Sequence, residues 1–452
     1  MKRLLRKKRC VREWDCKMAQ FRTDTSEFLP GNKTIYEVVM VAGQAGPSTY
    51  VNAGNLNTSS DSFGRMRVSQ PLTLFDSSHR YADNGLFAED TTGTASSTFN
   101  GDEGLIELDV GSSSGDEILR ESNKTFSYQP GKSLLILSSF LFATSKTNLR
   151  QRVGYFGSEN GIFLEQDDSD VSVVLRSKVT GSVVDTKIAK ANWNVDPLDG
   201  TGPSGVTLDL TKVQLMWFDF EWLGAGSVRF GFVVNGQFIV CHVLHHANEI
   251  DSTYTTTASL PLRQEITNTG ATSGASQAKQ ICSSVIAEGG YELRGRQHAV
   301  GTPITDAYDL TTAGTYYPVV SIRLKSGRED AIVILTALSL LGVGNGVNFS
   351  WRVVAGGTVT TASWTSAGAD SSVEYTISGT AHDGGGRVLA QGYLNSSNQG
   401  SPTMNILKEA LFKFQLERDS FAGVREPLSF LIAPATDAED VFASLDWEEV
   451  TR

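Results

Sequence analysis

Hydrophobic and polar residues alternate over short stretches along most of this chain, with turn residues about every eight to twelve positions. The clearest run is 212–246, where 212–223 reads as a strand and Gly224-Ala225-Gly226 as its turn. Segments 228–234 and 237–244 follow as a hairpin, because Asn235-Gly236 tolerates the positive φ of a two-residue loop. Upstream, 65–68 and 72–75 alternate, and strands are expected at 105–110, 118–128, 132–143, 152–156, 161–165, 171–177 and 181–188. Gln129-Pro130-Gly131 is a turn signal, while 90–104 and 266–280 read as polar loops before a strand at 281–286. A boundary falls at 289–307. Beyond it strands are expected at 319–324, 331–341, 349–354, 373–377, 387–390, 411–416, 428–433 and 441–450, with 395–403 as a loop. There is no internal repeat.

Such spacing predicts an all-β chain: two tandem β-sandwich, jelly-roll-like domains at 61–290 and 300–452, with an extended basic N-terminal arm at 1–60. A length of 452 residues exceeds one ordinary core, and 44 glycines suit many tight turns. The arm lacks sustained periodicity beyond one short strand at 34–41, so it is expected to order only against a partner. No apolar run reaches the ~18–20 residues of a membrane span; the longest, 331–341, is strand-like.

Charge sharpens the division. Residues 1–22 hold nine basic and two acidic side chains, a net +7; with −11 for the whole chain, the remainder carries −18. A basic arm on an acidic body can bind an acidic partner surface, neighbouring copies included, nucleic acid, or nothing. Met18 is an alternative start that would remove the basic segment. Cys10, Cys16, Cys241 and Cys282 read as reduced thiols, since their spacing fits neither a disulfide scaffold nor zinc.

Phe63-Gly64-Arg65-Met66-Arg67-Val68-Ser69, followed by Pro71-Leu72-Thr73-Leu74-Phe75-Asp76, resembles an opening found in virion structural proteins of marine and cyanobacterial tailed bacteriophages. Tyr128-Gln129-Pro130-Gly131-Lys132-Ser133, Arg152-Val153-Gly154-Tyr155-Phe156 and the stretch from Leu198 to Gly205 fit the same resemblance. So do Trp222-Leu223-Gly224, Val228-Arg229-Phe230-Gly231-Phe232 and Leu260-Pro261-Leu262-Arg263. It covers about residues 60–290 and, more loosely, the last 150 or so; residues 1–60 fall outside it. The resemblance implies a particle component located in the virion, with no catalytic residues to carry over.

Candidate chemistry is sparse. Asp219 and Glu221 alternate between Trp217 and Trp222, which puts both carboxylates on one strand face. Paired strand carboxylates serve some jelly-roll glycoside hydrolases. The third acid of that pattern is replaced by Leu223, so a solvent-facing or paired face is expected instead. His242, His245 and His246 cluster at a strand end as metal candidates, but the next position on that face is Asn248, with Glu249 and Asp251 only nearby. Asp167-Asp168-Ser169-Asp170 offers oxygens for calcium but lacks the twelve-residue glycine-bearing loop. Gly384-Gly385-Gly386 after His382-Asp383 reads as a turn. Gly111-Ser112-Ser113-Ser114-Gly115 matches G-x-S-x-G without the strand–helix context of a nucleophile elbow. Trp193, Trp217, Trp222, Trp351 and Trp364 are candidates for sugar stacking, or for core packing.

The expected function is therefore a non-enzymatic structural component of a tailed-phage virion: a tail-associated adaptor, collar, baseplate or fibre protein, or a head-decoration subunit. Its expected partners are copies of itself and neighbouring virion proteins. No catalytic, cofactor or metal residues and no cofactor are assigned. A glycan-binding receptor-recognition module is the alternative, with host surface glycan as partner, and a glycoside hydrolase ranks third. Nucleic acid is disfavoured because basic aromatic strands are absent.

Overall fold

The computed structural model describes residues 70–292, 294–397, 414–419, 421 and 424–451. The arm at 1–60, the strand at 34–41, residues 65–68, Cys10, Cys16 and residues 411–413 lie outside the described residues. The described chain is all-β, interrupted by a 3-10 turn at Lys190–Asn192. No described helix is long and apolar enough to cross a membrane.

The first sandwich is built from two antiparallel sheets. Sheet I runs Gln237–Leu244, Val228–Val234, Gln214–Phe220, Ser133–Leu141, Ser276–Glu288, Leu105–Val110, Ser96–Asn100, and Leu72–Ser77 flanks the second half of Ser276–Glu288. Sheet II runs Val184–Ala189, Asp170–Ser177, Gly161–Asp167, Leu149–Phe156, Leu262–Asn268, Glu117–Ser122, Phe87–Thr92. The chain crosses repeatedly between the two, as in a jelly roll. Strand period two sends Met216, Phe218 and Phe220 inward against Phe230 and Phe232, while Tyr155, Ile162, Leu164 and Val173 meet them from sheet II. Asn235 and Gly236 both take positive φ, 51° and 74°, the I′ geometry that the hairpin requires.

The second sandwich has a core of its own. In sheet III the long strand Glu439–Thr451 pairs with Ile332–Gly342 on one side and with Arg296–Gly301 and Tyr308–Leu310 on the other. Sheet IV runs Thr365–Ser366, Val373–Thr376, Tyr317–Leu324, Leu428–Pro434, Asn348–Ala355, Arg387–Asn395.

Several sequence expectations shift. Residues 90–104 and 266–280, read as loops, hold Ser96–Asn100, the ends of the strands Phe87–Thr92 and Leu262–Asn268, and the start of Ser276–Glu288. Their Ser, Thr, Asn and Gln hid the alternation, because pairing partners rather than apolar periodicity hold them. Arg296–Gly301, placed in the boundary, is a strand of sheet III for the same reason. The strand expected at 118–128 stops at Ser122; Phe126 and Tyr128 return to the first core, while residues 123–125 meet the second sandwich. There Gln415 Nε2 donates to Thr125 O at 2.9 Å, Arg418 N to Asn123 O at 3.1 Å, and Thr125 Oγ1 to Asp330 O at 3.2 Å. The apolar strand Ile332–Gly342 has part of its outer edge covered by the same segment, as Leu416 N donates to Val333 O at 2.9 Å.

Candidate functional site

Asp219 lies opposite Arg229 on the neighbouring strand of sheet I, and cross-strand neighbours on one face are about 5 Å apart at Cβ. Arg229 Nε donates to Asp219 Oδ2 at 3.1 Å and Nη2 closes the pair. Both Asp219 and Glu221 are 0% exposed. Of the two readings, the paired face holds for Asp219 and the solvent-facing one is overturned, since neither carboxylate is exposed. Phe218 and Phe220 point into the core, and Trp222 donates Nε1–H to Thr255 Oγ1 at 2.8 Å.

The three histidines separate. His242 Nδ1 accepts from Asn194 N at 3.1 Å, and His246 Nδ1 donates to Gly226 O at 2.7 Å while its ring stacks on Tyr254 at 4.0 Å. His245 Nδ1 lies 3.2 Å from Ser227 Oγ. The strand ends at Leu244, so His242 and His246 do not share a strand face. Among the described residues no three His, Cys, Asp or Glu side chains are arranged to hold a metal ion. Burial, with His245 nearby, holds the His242 pKa below the ordinary imidazole value, and burial does the same for His246 against the opposing pull of Gly226 O and Glu249. The unfolded chain therefore binds these protons more tightly, and the stability they confer is present above about pH 6.5 and lost as pH falls through the folded values. Melting temperature is expected to drop between roughly pH 7 and 5, and His246→Phe to flatten that slope; a slope unchanged in the variant would exclude His246.

Asp167 and Asp170 close a hairpin in which Asp168 has φ 55° and its carboxylate accepts from Asn148 N at 2.5 Å. Lys187 takes Asp167 at 3.3 Å and Glu165 at 2.5 Å. These acids line an open polar cavity of about 760 Å³ with Lys187, Lys190 and Asp199. Asp383 Oδ1 accepts from Gly385 N at 2.8 Å, which makes 384–386 a backbone turn. Residues 111–115 join two strands, with Gly115 N donating to Asn268 O at 2.8 Å.

The largest constellation was missed by the sequence reading. On the outer face of sheet II, ion pairs run from strand to strand: Arg418–Glu121 at 3.0 Å, Glu121–Arg263 at 3.1 Å, Arg263–Glu265 at 2.5 Å, Glu265–Arg152 at 3.4 Å and Arg152–Glu165 at 2.7 Å. Arg176 grips Asp185 bidentately at 2.8 Å twice. Phe156 and Phe163 lie beneath, ring centroids 4.2 Å apart and fully buried, with Arg152 and Arg176 guanidiniums 5.2 and 5.1 Å over Phe163. Gly154, paired with Phe163, must be glycine: a Cβ there would sit 2.6 Å from Phe163 Cα. Burial alone would raise the Asp185 pKa, but Arg176 overrides it and holds the carboxyl below its ordinary value. The detectable signal was Arg–x–Glu at 263–265 and the alternating arginines 150 and 152, charges at period-two positions.

Two other faces stand open. The outer face of sheet I carries Trp217, Leu135 and Val240 packed together, bordered by Leu137, Val233, Val243 and Ile286. Val213 is 60% exposed and Leu215 and Phe238 are 38% exposed beside them. Of the candidate tryptophans, Trp193, Trp217 and Trp351 are buried, while Trp222 and Trp364 are half-buried, the latter under Arg323 at 4.0 Å. The outer face of sheet IV instead presents Tyr393, 83% exposed.

No protein-family model matches the chain, and no curated protein matches it. Among solved structures, similarity extends to the carbohydrate recognition domain of Emp47p, at 9% identity and TM-score 0.31, covering 48% of this chain and 97% of that one. The legume lectin-like domain from Entamoeba histolytica matches at 11% and TM-score 0.28, covering 46% and 95%. The CBM2 module of the evolved Dit of Lactobacillus casei BL23 phage J-1 matches at 7% and TM-score 0.31, covering 50% and 100%. Each is a likeness in layout.

Proposed function

We propose that this protein is a structural component of a tailed-phage virion that acts through assembly contacts rather than catalysis. One observation carries the reading: the outer face of sheet I is apolar across its strands, from Phe238 through Val233 and Leu215 to Leu137 and Ile286, and is open at Val213, Leu215 and Phe238. Contiguous exposed apolar surface marks a contact site. Its proposed partners are other copies of the chain and neighbouring virion proteins, and the basic arm at 1–60 is proposed to reach acidic surfaces on them. Leu215→Asp with Phe238→Glu is expected to leave a folded, soluble body that fails to enter particles; incorporation at the wild-type level would sink the contact. Deleting 1–60 is expected to do the same, and normal assembly of the truncated form would dismiss the arm. Asp219 and Glu221 are proposed to be structural. Glu221→Gln is then expected to leave a panel of polysaccharides handled as by wild type, and hydrolysis present in wild type and lost in the variant would contradict this.

A second reading, glycan recognition, is favoured by the solvent-facing Tyr393 beside Arg352 on sheet IV.

A further inference from the structure

We infer that the outer face of sheet IV holds a binding site for a carboxylated sugar unit within a glycan, with Tyr393 and Arg352 as its principal contacts. The inference rests on the glycan-recognition reading and is independent of assembly through sheet I.

Register places the groups. Tyr393 pairs with Ser350, and Gln391 with Arg352, so all four side chains share one face and Tyr393 lies diagonal to Arg352, about 7–8 Å away at Cα. The alternate residues go inward: Leu394 is in the core and Gly392 receives Trp351, whose ring lies 2.6 Å from where a Cβ would be. Gly392 thus lets Trp351 lie close against the strand from below, while Tyr393 stands out above. Its 83% exposure has no role in the fold.

Arg352 is set up differently from the other arginines of this sheet. Arg323 holds Glu374 and Arg387 holds Glu417, both at 2.6 Å. Arg352 has no carboxylate partner among the described residues, and its Nε is buried without a hydrogen bond. Its guanidinium stacks 4.1 Å over the ring of Tyr316, and the Tyr316 hydroxyl lies 2.8 Å from Ser350 Oγ. The guanidinium is therefore pre-oriented by stacking but uncompensated, a state that a planar anion would relieve by a forked hydrogen bond. Beside it stands a free aromatic face of the kind that stacks on the C–H side of a pyranose. The rim is polar, with Ser350 and Gln391, which suits hydroxyls. The net −18 of residues 23–452 repels long polyanions, so one acidic unit in a largely neutral chain fits better than a polyuronate or a sulfated polymer.

The test is titration calorimetry on the full chain with three probes: an oligosaccharide bearing a single glucuronate, its carboxyl-reduced neutral counterpart, and a sulfated one. The glucuronate probe is expected to bind, with affinity falling about tenfold or more in Tyr393→Ala and in Arg352→Met, the size of one lost charge-assisted contact. Arg352→Lys is expected to recover only part. Tyr393→Ala touches no core group, so its melting temperature should match wild type and its loss of binding cannot be read as unfolding. Equal binding of the neutral and glucuronate probes would overturn the acidic-sugar assignment alone. Binding of none of the three would overturn it together with the glycan reading. Unchanged binding in both variants, or self-association weakened by Tyr393→Ala, would reassign this face.

Discussion

Arg152→Ala is expected to cost the first sandwich about 3–5 kcal/mol, a fall of roughly 10 °C in melting temperature. Arg152 stands between two carboxylates, Glu165 at 2.7 Å and Glu265 at 3.4 Å, which are 1% and 3% exposed at the side chain. Removing the guanidinium leaves both acids buried with less compensation, and desolvated charge of this kind is costly. Lys187 at 2.5 Å and Arg263 at 2.5 Å still reach Glu165 and Glu265, so the lower end of the range is expected. The stacking on Phe163 at 5.2 Å is lost as well. Arg152→Lys keeps the charge but neither the fork nor the flat stacking surface, and should recover part of the loss. A thermal melt of Arg152→Ala within 2 °C or so of wild type would show that the ladder contributes nothing net, as some buried ion pairs do.

The sequence was most legible where local rules act alone. The hairpin 228–244 was readable because Asn235-Gly236 has one favourable geometry there and Phe230 and Phe232 alternate cleanly with polar or small neighbours. Strands such as Ser96–Asn100 and Arg296–Gly301 were not, because their polar side chains give no period and only the partner strand holds them. The site chemistry failed for a related reason. Alternation places Asp219 and Arg152 on outer faces, and an outer face is ordinarily wet. Whether it is wet depends on what lies across it: Arg229 for Asp219, and for Arg152 a row of acids drawn from strands up to 113 residues away. Tyr393 and Arg352 were invisible for the same reason, being 41 positions apart and joined only by register.

The junction between the sandwiches depends on one further buried pair, and Glu417→Ala is expected to uncouple it. Lys124, in the segment that leaves sheet II, lies 3.3 Å from Glu417, which also holds Arg387 at 2.6 Å. The side chains of Lys124 and Glu417 are 14% and 12% exposed. Burial lowers the Lys124 pKa, and Glu417 offsets only part of that. Without Glu417 the ammonium is buried facing Arg387, and breaking a pair of this kind costs about 3 kcal/mol or more. That loss falls on the interface, since neither residue belongs to either core. Calorimetry is therefore expected to resolve two transitions in Glu417→Ala where wild type shows one, with the first sandwich melting near its own temperature. The folded pKa of Lys124 lies below its unfolded value, so the unfolded chain holds that proton more tightly and stability rises with pH toward about 10.4. The separation of the two transitions in Glu417→Ala should accordingly narrow as pH is raised. Lys124→Met with Glu417→Met, which removes both charges and keeps the volume, should restore a single transition. One transition at the wild-type temperature in Glu417→Ala would mean that the hydrogen bonds of Thr125, Gln415 and Arg418 hold the junction without this pair. The proposed assembly role would need the two sandwiches to move as one, and this pair is where that coupling can be cut without touching either core.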